Sequence, residues 1–285
     1  CGATDMATIL MTGELWFRVP EIIEVRLDGE AQKGVYPKDV ILEVLGRIRA
    51  DGAVYKAIDF TGSYVEKLNV AGRMTICNMA VEMGAKTAYM QPNADVLNYV
   101  DKRAVRPYEV QFTDPDFQYE ESYVFDVSKI EPNLACPSSV ENVHPLSEVV
   151  ANGPLKLNQG FIGSCTGGRV EDIAIAAKIL KGRHIPEYTR LIVVPASNEV
   201  MQECMKAGYI QDLMNAGATI TTPGCGACLG AHEGILAPGE VCITSTNRNF
   251  PGRMGSTEAL MYLASPATVA ASMVNGCITD PREFL

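Results

Sequence analysis

Apolar and polar residues first fall into a regular pattern at Ile23, Val25 and Leu27, which alternate with Glu24, Arg26 and Asp28 and stop at Gly29. A period of two puts the apolar set on one face, so the run predicts a half-buried strand. The period then changes. Pro37 is followed by Val40, Ile41, Val44, Leu45 and Ile48 on one helical face before Gly52, which predicts an amphipathic helix opened by proline. A short strand over 54–60, a helix over 70–83 and another helix from Asp95 extend this into an α/β unit. Upstream, Met6 to Trp16 reads as a buried helix.

From Ile130 to about Gln159 the periodicity lapses while Pro132, Pro137, Pro145 and Pro154 accumulate. That length is unusual for an internal loop, and the domain boundary is set there, between 20–129 and 130–285. Beyond it, short apolar strands over 160–163, 191–194, 218–221 and 241–244 alternate with amphipathic helices. The helices read at 171–180, 199–214 and 257–274, the last interrupted by Pro266. Such alternation builds a parallel sheet with crossover helices.

Three strands of the second half run into polar, glycine-rich strings. These are Ser164-Cys165-Thr166-Gly167-Gly168-Arg169, Gly224-Cys225-Gly226-Ala227-Cys228-Leu229-Gly230, and Thr246-Asn247-Arg248-Asn249-Phe250-Pro251-Gly252-Arg253. Ligands bind at the carboxyl ends of strands in open α/β sheets, so the strings can meet although far apart in sequence. Three thiolates can hold three irons of a 4Fe-4S cube and leave the fourth open as a Lewis acid. Arg248 and Arg253 are suited to fork-to-fork binding of carboxylates, which implies a hydroxy di- or tricarboxylic acid as substrate.

His232 lies four residues after Cys228, so Cys165, Cys225, Cys228 and His232 equally suit a Cys3His zinc site; spacing alone does not separate zinc from iron-sulfur. A thioredoxin-like redox pair ranks last, since it uses neither Cys165 nor the arginines. Asn78 and Glu82 are four apart and share a helix face, a functional pair or an exposed polar stripe. Cys136, Cys204, Cys242 and Cys277 read as structural, and His144 and His184 take no role.

Composition narrows the class. The chain has 285 residues, 47% of them hydrophobic and 20% charged, enough for roughly two domains and outside the disordered and coiled-coil classes. A net charge of -10 counts against nucleic acid and anionic membrane as partners. Charges, prolines and glycines break every apolar stretch short of a membrane span. Nine cysteines, an odd number, favour reduced thiols over a disulfide framework and a cytoplasmic protein.

Together the strings resemble the aconitase superfamily, most closely large subunits of the isopropylmalate dehydratase and homoaconitase type. The resemblance is carried by Gly2-Ala3-Thr4-Asp5-Met6-Ala7, by Pro37-Lys38-Asp39-Val40-Ile41-Leu42, by the 72–79 segment, by the three glycine-rich strings and by the 262–272 segment. It implies aconitase-like three-layer α/β/α domains with mainly parallel sheets. It also implies a 4Fe-4S cluster on Cys165, Cys225 and Cys228, with Arg248 and Arg253 on substrate carboxylates and Asn78, Glu82 and Asn247 near the cluster and its bound hydroxyl. Zinc becomes the minor alternative.

The implied reaction is dehydration of a hydroxy acid and rehydration at the neighbouring carbon, with 3-isopropylmalate in leucine biosynthesis as first substrate. Homoaconitate or a methylated malate is the runner-up, and a noncatalytic zinc- or RNA-binding relative is the competing class. The family's base resembles a serine on a small swivelling subunit, which makes a second chain necessary. Two departures stand out. Gly167 replaces an asparagine common in the family, so that residue's polar contact is lost or supplied elsewhere. The family's N-terminal part also has no counterpart here: residues 1–19 read as the remnant of an N-terminal domain, Cys1 as a cut or truncated end, and Met6 to Phe17 as an exposed apolar patch. Activity is expected only with the small subunit and that segment.

Overall fold

The computed structural model describes residues 2–285; Cys1, expected as a cut end, lies outside the described residues. Helix α1 (Ala3–Thr12) precedes a first sheet formed by β1 (Ile22–Asp28), β2 (Ala57–Thr61), β3 (Thr87–Tyr89) and β4 (Ser122–Asp126). Its order is β3-β2-β1-β4 and every pairing is parallel. Between these strands lie α2 (Pro37–Ile48), α3 (Ser63–Lys67), α4 (Val70–Met79) and α5 (Ala94–Asp101).

The second sheet uses β5 (Asn133–Ala135), β6 (Val143–Pro145), β7 (Gln159–Gly163), β8 (Arg190–Val194), β9 (Thr219–Ile220), β10 (Val241–Thr244) and β11 (Leu260–Leu263), in the order β6-β5-β11-β10-β7-β8-β9. Five strands run parallel, while the β5–β6 hairpin joins antiparallel at one edge. Its helices are α6 (Leu146–Ala151), α7 (Ser164–Gly167), α8 (Val170–Leu180), α9 (Asn198–Lys206), α10 (Tyr209–Asn215) and α11 (Pro266–Asn275). No helix among the described residues is long and apolar enough to cross a membrane.

Strand alternation decides where the cores sit. Ile23, Val25 and Leu27 face α2 and α4 in one core, while Glu24 on the opposite face accepts hydroxyls from Thr61 and Ser122. On that face Asp59 accepts from Tyr119 and Thr113, so an irregular segment, not a helix, covers it. In the second sheet Ile162, Leu191, Val193 and Ile243 pack under α8, α10 and α11. The alternate residues Phe161, Ile192, Val194 and Cys242 pack against the 227–259 segment, which contributes Cys228.

Several elements differ from the sequence expectation. The 130–159 stretch is not a structureless linker, because β5, β6 and α6 form there. The 257–274 helix is two elements, β11 and α11: Ser265 caps α11 by accepting the Thr268 N–H, and Pro266 occupies its first position, where no N–H is needed. The 199–214 helix breaks at Gly208, whose φ of 81° is left-handed. The 70–83 helix tightens to a 3-10 turn after Met79. Helix α1 is not buried: none of its residues is, and Leu10, Met11 and Trp16 are exposed, in keeping with the expected apolar patch.

Candidate functional site

The site begins where β7 ends. Gly163 leads into Ser164, whose φ of 67° is uncommon for a residue with a side chain, and the turn it makes leaves Cys165 exposed at the start of α7. Helix α4 packs against α7, and Thr75 Oγ1 donates to the Thr166 carbonyl at 3.2 Å. Asn78, one turn further along α4, brings Oδ1 to 3.8 Å from the Cys165 Sγ.

The segment after β10 closes over both. Asn247 donates its amide to Asn78 Oδ1 and accepts from the Thr166 hydroxyl. Arg248 reaches the 3-10 turn after α4, where its Nε lies 2.8 and 3.0 Å from the two Glu82 oxygens. The hydrogen bonds to Glu82 come from Nε alone, and among the described residues the Nη groups of the fork donate to none. Ser245 ties this segment to the Cys165 turn by accepting from Gly163 N–H at 3.0 Å. That closeness also explains Gly167: a Cβ there would lie 2.2 Å from Ser245 Oγ and 2.8 Å from its carbonyl oxygen. No asparagine fits at 167, and the amide in this neighbourhood comes from Asn247.

Two buried charges underlie the site. Lys38 on α2 is 2% exposed and donates to the Thr246 carbonyl at 2.6 Å and to the Met79 sulfur at 3.0 Å. Burial pushes its ammonium down to about 8, against the pull of Cys228, Glu82, Asp172 and Cys165. Asp39 beside it accepts from the N–H groups of Tyr36 and Asn133, yet burial pushes its carboxyl up to about 7. Neither residue was singled out for chemistry in the sequence, nor was the strained Ser164.

Cys225 precedes the 226–229 turn after β9 and is exposed, while Cys228 lies within that turn and packs against Phe161. Arg253 stays apart from the Asn78–Asn247–Arg248–Glu82 group. Its guanidinium lies 5.7 Å from the Phe250 ring centroid, and its Nε is buried without a partner. The remaining member of that string, Asn249, is buried and holds the carbonyls of Ala135, Cys136 and Ser139.

Three thiols on one sheet edge suit a cluster in kind. Among the described residues no three His, Cys, Asp or Glu groups gather as around a single ion. His232, the fourth ligand of the zinc alternative, is exposed on a left-handed backbone. The buried Ser164 Oγ without a partner, next to Cys165, is a polar atom that a bound group can satisfy.

The sequence matches the Aconitase family (aconitate hydratase) profile over residues 1–276. It is 52% identical to the 3-isopropylmalate dehydratase large subunit 1 of Methanopyrus kandleri over 100% of this chain and 67% of that protein. It is 49% identical to the probable methanogen homoaconitase large subunit of Methanothermobacter thermautotrophicus over 99% of this chain and 65% of that protein. The chain thus spans about two thirds of the length of these curated relatives. The solved structure of Thermococcus kodakaraensis aconitase X in its holo-form aligns at 11% identity and a TM-score of 0.44, over 84% of this chain and 54% of that one.

Proposed function

Because the chain belongs to the aconitase family, we propose that it is the large, catalytic subunit of a hydro-lyase that isomerises 3-isopropylmalate by dehydration and rehydration. One observation carries the reading. Cys165, Asn78, Asn247, Arg248 and Glu82, drawn from three separate segments, meet in one contiguous polar group at the carboxyl ends of the strands. Relatives at similar identity named homoaconitase support the second reading, a longer hydroxy acid on the same machinery.

Cys165, Cys225 and Cys228 would hold a 4Fe-4S cluster, which would supply a Lewis-acidic iron for polarising a leaving hydroxyl. The chain's own residues do the rest. The free Nη groups of Arg248 offer two parallel N–H donors to a substrate carboxylate, which fixes the carbon skeleton in one orientation. Glu82, pinned by the same guanidinium, would carry a proton to or from the departing oxygen. Asn78 and Asn247, already coupled to each other, orient that oxygen beside Cys165.

The proton on the neighbouring carbon goes to a base on a small swivelling subunit, so that water leaves as the hydroxyl plus one proton. The compartment that suits three reduced thiols is the cytoplasm. The test is an anaerobic assay of the reconstituted large subunit, extended at its N-terminus to the length of its curated relatives and paired with a small subunit of the isopropylmalate dehydratase type, following the absorbance of the enoic acid. Dehydration of 3-isopropylmalate in preference to homocitrate-type acids is expected. Turnover of the longer acids alone selects the second reading, and turnover of neither rejects the class.

A further inference from the structure

Lys38 carries a buried charge that the proposed mechanism does not use. It is 2% exposed at the start of α2, and its hydrogen bonds go to two neutral acceptors, the Thr246 carbonyl at 2.6 Å and the Met79 sulfur at 3.0 Å. Among the described residues its Nζ makes no salt bridge and donates to nothing else. An ammonium shut away from water is strongly disfavoured unless an anion compensates it. Burial lowers it only to about 8, so the group is still mostly charged at neutral pH.

Three carboxylates interact with this charge at longer range, and each is held elsewhere. Asp39 accepts from the N–H groups of Tyr36 and Asn133, Asp172 accepts the Arg169 N–H at 3.0 Å at the start of α8, and Glu82 is taken by Arg248. Burial also pushes the Asp39 and Asp172 carboxyls up to about 7, so neither is a full counter-charge at neutral pH. The remaining acidic groups whose charge acts on Lys38 are the thiols of Cys228 and Cys165, which come from two separate loops. The carbonyl that Lys38 holds immediately precedes Asn247 and Arg248, and the sulfur it holds belongs to the residue after Asn78. The ammonium therefore sits, out of solvent, among the segments that carry the thiols and the polar group.

We propose that Lys38 is a positioning residue whose ammonium is the buried counter-charge of the cluster on Cys165, Cys225 and Cys228. The inference rests on the functional reading above and adds to it a residue that tunes the site without touching substrate. Three thiolates carry more negative charge than an oxidised 4Fe-4S core carries positive, so the assembled site is an anion, and reduction makes it more negative. A fixed positive charge in the same low-dielectric interior favours the more negative form and raises the reduction potential.

The test is a redox titration, followed by electron paramagnetic resonance, of the large subunit extended to the length of its curated relatives and reconstituted without oxygen, with iron and sulfide measured on every variant. Lys38→Met keeps an unbranched side chain without the charge and is expected to disfavour reduction at least about tenfold, a shift of about 59 mV to more negative potential for one electron. Met79→Leu removes the sulfur acceptor and leaves the charge, so its reduction equilibrium should stay within about twofold of the parent. If Lys38→Met takes up no cluster, Lys38→Arg decides: a full cluster at the parent potential supports the counter-charge, and failure of both variants to assemble one makes Lys38 a packing residue and overturns it. An unmoved potential in Lys38→Met with full iron and sulfide, or an equal shift in Met79→Leu, also overturns it and leaves the functional reading standing. A parent without iron and sulfide would overturn both.

Discussion

Asp39 and Lys38, adjacent and buried at the start of α2, show how burial sets chemistry that a residue string does not reveal. On an amphipathic helix both count as polar positions and would be placed outward, so neither was legible. The site residues that were legible, Cys165, Asn78, Asn247 and Arg248, stand in strings whose residue types already narrow the chemistry. Because the folded Asp39 carboxyl titrates near 7, above its usual value, its contribution to stability is full below about pH 4 and is lost as pH rises to about 7. Urea unfolding across that window is expected to show stability falling with pH by up to about 1.4 kcal/mol per unit from this group, and Asp39→Asn should flatten the slope. At Gly167, where Ser245 leaves no room, alanine is expected to cost about 1–3 kcal/mol by the same measurement. Arg248→Lys keeps the charge but loses the fork, and should raise KM at least about tenfold with a smaller change in kcat.

Among the elements, helix α11 and strand β11 explain best why part of the fold escaped the sequence. Tyr262, Leu263 and Ala264 read as apolar helix positions because the apolar run resumes at Ala267, Val269 and Ala270 after only Ser265 and Pro266. The structure divides them at Ser265 and Pro266, a cap and a first-turn proline, and β11 gains its stability from parallel pairing with β10, a long-range term. The short β3 and β4 and the β5–β6 hairpin likewise depend on neighbouring strands more than on their own pattern. By contrast β1, α2 and α8 carry enough periodic residues to be read locally. The division at Ser265 has a measurable consequence. Ser265→Ala removes the acceptor for the Thr268 N–H in a fully buried position and is expected to lower unfolding stability by about 1–2 kcal/mol.

For the whole molecule, the turn after β7, the segment after β10 and helix α4 meet in one place, and the account stands or falls on what is held there. The opposite extreme is α1 with the 13–21 segment, which the rest of the described chain leaves uncovered. Limited proteolysis should cut there well before either sheet is attacked; protection equal to that of the core would show that this region packs in solution. The decisive measurement is iron, zinc and acid-labile sulfide on the chain reconstituted without oxygen, beside single Cys→Ser variants at 165, 225 and 228. The account predicts about four irons and four sulfides per chain, with the cluster lost or severely depleted in each variant. Zinc without sulfide, or a cluster indifferent to all three substitutions, would contradict it.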